Sequence, residues 1–366
     1  MIIPFSKNQI KVKDRLIVSK ILKSGWLTHG KYTKDFEELF KKYTQSKFAV
    51  TVSNCTAGLH LSCIAADFKE GDEVIVPAMT HVATAHAVSL TGAKPVFCDI
   101  DLYNGNINLK DLKKKINNKT KGIIVVHIAG FPNQMKEIKN ICKSYDLKLI
   151  EDCAHALGSK KNNIHVGNFG IAGVFSFYPT KQISIGEGGM VITNSKKIFE
   201  IIKRRKAFGI DKDIKERKIP GVYDVKSLGL NYRMTDYQSA IGLSQLRRYK
   251  NELSIRKKNA KYYCSKLSKI KWIKFPPYDK LSSYFIFQIF IPKQKKIKIV
   301  RKFMKKKIGF SIHYAKSLDR LSYYNSKKHI KCINSKTYAE ENISLPVHSG
   351  INKTMINYIC NTLEKL

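Results

Sequence analysis

The sequence predicts an α/β protein with two domains. Residues 1–250 form a large domain on a mostly parallel seven-stranded sheet, and residues 251–366 form a small α+β domain. Three observations carry that prediction. Short, near-continuous apolar runs rich in Val and Ile recur before residue 195, as they do in strands buried on both faces. Helical stretches fall between many of them. After about residue 250 the texture changes to lysine-rich helices with a few further strands.

The strand runs, in order, are FAVTVSN (48–54), DEVIVPA (72–78), KPVFCDI (94–100), GIIVVHI (122–128), LKLIED (147–152), AGVFSFY (172–178) and GMVITN (189–194). Between them lie the helical stretches TAGLHLSCIAADF, THVATAHAVSL and MKEIKNICKSY. Beyond 250 a helix is expected over 253–269, a strand at YFIFQIFI (284–291), and a short strand at FSIHY (310–314). In the run 291–310 the spacing of Ile297, Ile299, Val300, Phe303 and Met304 predicts a helix with one buried face.

Apolar residues make up 43% and aromatics 10% of the chain, which excludes wholesale disorder. The charge is extreme: 67 basic against 28 acidic residues, a net +39. The lysines are spread along the whole chain, and no helix-turn-helix, zinc-finger or RNA-binding signature accompanies them. They are therefore expected to be solvated faces, with no nucleic-acid partner, and their field would favour an anionic substrate. The eight cysteines form no C-x-x-C pair, and such thiols point to a reducing compartment. No stretch reaches the roughly 18 apolar residues of a membrane span. A cytoplasmic protein without membrane or metal is expected.

In open α/β sheets, ligands bind beyond the carboxyl ends of the strands, so the residues at those ends are the candidates for chemistry. Strand 48–54 runs into Ser53-Asn54-Cys55-Thr56-Ala57-Gly58, where the start of a helix offers free N–H groups to a phosphate. Taken alone, this is only an ordinary helix cap. Strand 147–152 ends in Glu151-Asp152, followed by Cys153-Ala154-His155. A carboxylate emerging there is costly to bury without a cation. Strand 172–178 runs through Ser176 to Pro179-Thr180-Lys181 and then Gly186-Glu187-Gly188-Gly189, a restricted place where desolvation would make the lysine a usable amine nucleophile. A phosphate cradle, a strand-end aspartate, a lysine and an aromatic after the second strand together form a pyridoxal phosphate constellation. In it the lysine forms a Schiff base and the aspartate pairs with the pyridinium nitrogen.

The order and spacing of GWLTHGKYTKDFEELF (25–40), VSNCTAGLHL, VPAMTHVATAHAV, GAKPVFCDID, IEDCAHALGS, VFSFYPTKQISIGEGGMVITN, LGLNYRMTDYQSAIGLSQL (228–246) and ISLPVH (343–348) span nearly the whole chain. The sequence resembles the sugar aminotransferases of the fold-type-I pyridoxal phosphate-dependent enzymes, which act on nucleotide-linked keto sugars. The resemblance implies the fold-type-I aminotransferase architecture. It makes Lys181 the Schiff-base lysine and proton shuttle, and Asp152 the pyridinium partner. His155 falls near the cofactor's phenolic oxygen, and His81 where an aromatic stacks on the pyridine face. Thr56 and Ala57, through their backbone, and Ser176, through its hydroxyl, resemble the phosphate cup. Asn231 resembles a residue reaching the phosphate of a neighbouring subunit, which implies a homodimer with shared active sites. His313 and Tyr314 lie where the small domain borders the sugar pocket. Cys55 and Gly58 stand where Gly and Ala are commoner.

The resemblance also implies an amino-acid donor, glutamate foremost, and amino-sugar or surface polysaccharide biosynthesis. The G-E-G-G run is similar to a branch working on 4-keto sugars, so a 4-keto-6-deoxy acceptor is expected, with a 3-keto sugar or a cyclitol ketone as the alternatives. Related dehydratases lack the Schiff-base lysine, which Lys181 argues against. A non-catalytic nucleic-acid-binding regulator on the same scaffold has only the charge in its favour. His60 and His86 are expected to be packed on apolar helices. His127 and His165 have no visible partner, and His348 is equally consistent with a structural or a pocket role.

Overall fold

The computed structural model describes residues 1–8, 10–212, 217–325 and 332–366. Two helices, α1 (Val12–Ser24) and α2 (Lys31–Thr44), precede the first strand, β1 (Phe48–Val52). The chain then alternates: α3 (Cys55–Ala65), β2 (Glu73–Pro77), α4 (Val82–Ser89), β3 (Lys94–Cys98), α5 (Leu109–Lys115), β4 (Thr120–Val126), α6 (Met135–Ser144) and β5 (Lys148–Asp152). A small hairpin, β6 (Lys160–Lys161) and β7 (Ile164–His165), leads to β8 (Ala172–Ser176), β9 (Gly189–Thr193) and α7 (Lys196–Arg205).

The seven expected strand runs form one sheet in the order β1-β9-β8-β5-β4-β2-β3. Only β9 runs against its neighbours, pairing antiparallel with both β1 and β8. Side chains alternate across the sheet, as the pleat requires. Val50, Val74, Ile124, Ile150 and Val174 pack toward α3, α4 and α7. Ile123, Val125 and Leu149 pack toward α5 and α6, and Phe175 and Met190 toward α2 and the helix that follows. Both faces are covered, which is why these strands read as unbroken apolar runs.

The helix expected over 253–269 is the second half of a longer one, α8 (Asp236–Leu267). It passes residue 250 without a break, and no proline interrupts it. Its first half packs against α2 and α1, its second against the C-terminal helix. Then come β10 (Phe287–Phe290), α9 (Lys293–Lys305), α10 (Ile333–Glu341), β11 (Asn342–Leu345) and α11 (Lys353–Glu364). β10 and β11 pair antiparallel, over a core that also takes in Ile3.

Two expectations are corrected here. The segment 310–314 is not a strand. It makes a single bridge, Ser311 to Ser344, because the next N–H, that of His313, donates to the Asn342 side chain instead of extending a ladder. In α9, Ile299 and Phe303 are buried, but Ile297 and Met304 are exposed, so the buried stripe is narrower than the spacing implied. Among the described residues no helix is long and apolar enough to cross a membrane.

Candidate active site

Asp152 closes β5 on the side that faces α4, and there it is 4% exposed. Its Oδ2 accepts from the Thr84 hydroxyl at 2.8 Å and its Oδ1 from the Ala154 N–H at 3.0 Å. None of the ion pairs found among the described residues involves it. Neutral donors alone compensate a buried carboxylate poorly, so the group is poised to meet a cationic N–H from a ligand. Its sequence neighbour Glu151 points to the opposite face. There it accepts from the N–H groups of Gly167, Phe169 and Gly170 and lies 3.0 Å from His127 Nε2. That carboxylate is fully committed to holding the β7–β8 turn. With His127 and Cys153 it forms a group whose ligand-type atoms lie within 4.8 Å of one another, but its oxygens are already taken.

Lys181 lies on the turn between β8 and β9, where Lys181 N–H donates to the Tyr178 carbonyl. Its Nζ sits 4.5 Å from the centroid of the Phe285 ring. Burial lowers its pKa to about 8, while Cys55 and Asp152 pull the other way. An amine in that range supplies both the neutral nucleophile and the protonated acid near neutral pH.

The start of α3 lies beside these two groups. Asn54 caps it, its side chain accepting from Ala57 N–H at 2.8 Å. This modifies the expected phosphate cup: the Ala57 amide is engaged, and the hydrogen bonds found among the described residues take up neither Cys55 N–H nor Thr56 N–H. The helix dipole there favours an anion. Ser176, at the end of β8, is half-buried, with its hydroxyl 3.4 Å from Tyr178 N–H. Gly189 is required for this approach, since a Cβ would lie 2.8 Å from the Asn54 carbonyl group.

His155 is buried and stacked on Phe285 with centroids 4.3 Å apart. Its Nδ1 accepts from Ala129 N–H at 3.3 Å, so its Nε2 carries the proton, and Nε2 lies 3.4 Å from the Tyr314 hydroxyl. Burial, with Lys181 nearby, holds His155 well below the usual histidine range. His81 caps α4, with Nδ1 accepting from Ala83 N–H, and its ring meets Tyr314 edge-on at 5.8 Å. His313 contacts the Ser344 hydroxyl at 3.0 Å and stacks on Phe5. Burial lowers its pKa to about 3.

The structure therefore brings Lys181, Asp152, His155, His81, His313, Tyr314, Ser176 and the start of α3 together. Asn231 is bonded to none of these groups among the described residues. Its side chain accepts from Arg233 at 2.9 Å, and Arg233 in turn contacts His29. Beside them lies a cavity of about 400 Å³ lined by Trp26, His29, Lys203, Lys206 and Arg233 among others. Three participants were not singled out from the sequence: Thr84, Phe285, and the Cys55 thiol, whose pKa burial and Asp152 raise. Thr84 carries no signal beyond its place near a helix start, and Phe285 is hidden in the apolar run YFIFQIFI.

The protein-family model described as the DegT/DnrJ/EryC1/StrS aminotransferase family matches residues 8–364. The chain is similar to a GDP-perosamine synthase of Escherichia coli O157:H7, 32% identical over 364 residues, which covers 99% of this chain and 98% of that protein. Among solved structures it is similar to Helicobacter pylori PseC, an aminotransferase involved in the biosynthesis of pseudoaminic acid. That likeness has a TM-score of 0.92 and 30% identity, covering 100% of this chain and 99% of that one. Spr1654 from Streptococcus pneumoniae, solved in its PLP form, superposes with a TM-score of 0.90 at 27% identity, covering 100% of this chain and 98% of that one.

Proposed function

The chain belongs to the DegT/DnrJ/EryC1/StrS aminotransferase family and is a transaminase, and from that premise we propose that it transfers an amino group from glutamate to a nucleotide-linked keto sugar, using pyridoxal 5'-phosphate, in amino-sugar biosynthesis. The observation that carries the reading is the desolvated Lys181 amine, its pKa lowered to about 8, near the buried Asp152 carboxylate, which forms no ion pair among the described residues.

The residues fit the cofactor. Asp152 offers a buried anion to the ring nitrogen and would hold its proton there. Cys55 N–H, Thr56 N–H and the Ser176 hydroxyl would hold the phosphate at the start of α3. His155 presents Nε2–H toward the phenolic oxygen, and His81 and Tyr314 border the ring. Bound there, pyridoxal phosphate supplies an electron sink for the amino group's carbon. Lys181 moves the proton at Nζ, and the burial of His155 and His313 keeps both neutral, so neither competes for it.

The GDP-perosamine synthase relative supports a nucleotide sugar as acceptor, and the G-E-G-G run supports a 4-keto-6-deoxy sugar. The Glu187 side chain is exposed and only its carbonyl is used, accepting from Gln238, in keeping with a branch marker that has no direct catalytic role. Several large apolar side chains are exposed on backbone segments that pair with one another: Trp26, Leu27, Phe208, Tyr223 and Leu228. They support a homodimer in which Asn231 serves the partner's site. The eight unpaired cysteines support a reducing, cytoplasmic setting.

The purified protein should show an absorbance band near or above about 400 nm that Lys181→Ala and borohydride trapping remove. Given glutamate with matched 3-keto and 4-keto nucleotide sugars, it should release 2-oxoglutarate faster with the 4-keto substrate. A protein that ignores added cofactor would refute the transamination chemistry. Preference for the 3-keto sugar or for a free cyclitol ketone would overturn only the substrate.

A further inference from the structure

The segment just before β10 sends a side chain into the site from beyond α8. Phe285 is 3% exposed and its backbone is clamped from both sides. Its N–H donates to the Ala129 carbonyl at 3.1 Å, and its own carbonyl accepts from Arg256 of α8 at 3.1 Å. The preceding residue, Tyr284, is left-handed (φ 48°), turning the chain inward, and its carbonyl is held by the same guanidinium at 3.3 Å. The ring itself is buried and stacked on His155, and the Lys181 Nζ is found 4.5 Å from its centroid.

We propose that Phe285 is a catalytic residue that holds the free Lys181 amine by the face of its ring and favours the protonated form. This rests on the reading of Lys181 given above. The face of an aromatic ring is electron-rich, and a desolvated ammonium over it is stabilised relative to the neutral amine. Burial works in the opposite direction on the same atom. The other groups facing Nζ are Asp152 from β5 and Cys55 from α3, which favour the charged form, and His81, His155 and His313, which surround it as neutral rings. Phe285 also stacks on His155 at 4.3 Å. One rigid ring thereby fixes both the amine that carries the proton and the imidazole beside it.

The test is competitive acetylation of the full-length protein, freed of cofactor, between about pH 6 and about pH 10, with the Lys181 peptide read by mass spectrometry. Phe285→Leu should lower the labelling midpoint by about half a unit to one unit, and Phe285→Tyr should leave it near that of the parent. Replacing Phe285 with 3,5-difluorophenylalanine keeps the shape but weakens the ring's field, so it should also lower the midpoint, even where the leucine variant folds poorly. Equal midpoints for the parent and the fluorinated protein overturn the proposal. If Lys181→Ala keeps the visible band, the functional reading fails separately, and the labelling midpoints are unaffected by that result.

Discussion

Histidines carry the sharpest residue-scale consequence. His127 and His165 have no partner that the sequence reveals, yet both are deeply buried and bonded. His127 meets Glu151, and His165 Nε2 accepts from Gly158 N–H at 2.9 Å. The first pairing spans 24 residues from the loop after β4 to β5 and the second closes the β6–β7 hairpin, and neither follows a helix or strand period. His348 does both: its Nε2 meets the Pro4 carbonyl at 3.0 Å, tying down the N-terminal segment, and it lines a small cavity with Lys181. His60 is packed as expected, whereas His86 is only partly buried and contacts the Tyr324 hydroxyl. Burial lowers the pKa of His165 from 6.5 to about 4 and that of His313 to about 3. The folded protein therefore binds fewer protons than the unfolded chain between these values and 6.5. The stability these groups provide is complete above about pH 6.5 and is lost as pH falls toward about 4. The unfolding free energy from urea titrations should drop between about pH 7.5 and about pH 5, before most carboxylates titrate, by an amount on the order of a few kcal/mol. A flat profile over that window would show that these rings are not buried neutral.

At the scale of elements, two of the three glycines that follow the lysine, Gly186 and Gly189, differ in kind. Gly189 opens β9 against the start of α3, and a Cβ there would meet the Asn54 carbonyl carbon and oxygen at 2.8 Å and Cys55 N at 2.9 Å. Gly186 has open space around it but a φ of +90°. Gly189→Ala should push β9 off the helix start and weaken phosphate and cofactor retention at least tenfold in an equilibrium titration, because backbone must move on both sides. Gly186→Ala should cost about 1 kcal/mol of stability and leave cofactor affinity close to the parent's. The reverse ranking would locate the phosphate elsewhere. The strands that frame this turn were legible in the sequence because both of their faces are apolar. β11 was not, because only Ile343 and Leu345 face the apolar core, while Asn342 and Ser344 on the other face are just as fully buried. Ser344 pairs with Gln288 of β10 and also bridges to Ser311. Only tertiary partners make a strand of such residues. For the same reason Lys181 and Asp152 were readable at strand ends, while Thr84 and Phe285 acquire their roles only through folding.

For the whole molecule, the location of Asn231 sets the prediction. Its side chain is engaged by Arg233, which in turn meets His29, and not by the Lys181 cluster. Mixing inactive Lys181→Ala protomers with inactive Asn231→Ala protomers should restore activity in the mixed dimers, up to about half per dimer, since one site then receives neither defect. A fully active monomer, or mixtures that stay inactive although mixed dimers form, would contradict shared sites. The net charge of +39 belongs to this scale too. It is a diffuse field suited to drawing in a diphosphate-bearing substrate, and any affinity for duplex DNA should be weak and fall steeply with added salt.

The two acids that end β5 show how little separates a working site from a useless one. Glu151 and Asp152 differ by a methylene and by the face they occupy, and the second difference is decided by counting. In a strand of five residues, the carboxylate that enters the cleft is fixed by parity alone. One residue gained or lost ahead of it would turn the glutamate toward Thr84 and the aspartate toward the amides of Gly167–Gly170. The longer acid would crowd the cleft, and the shorter would reach its three amides poorly. Point substitutions here have graded effects; a slip of one residue is an all-or-none switch.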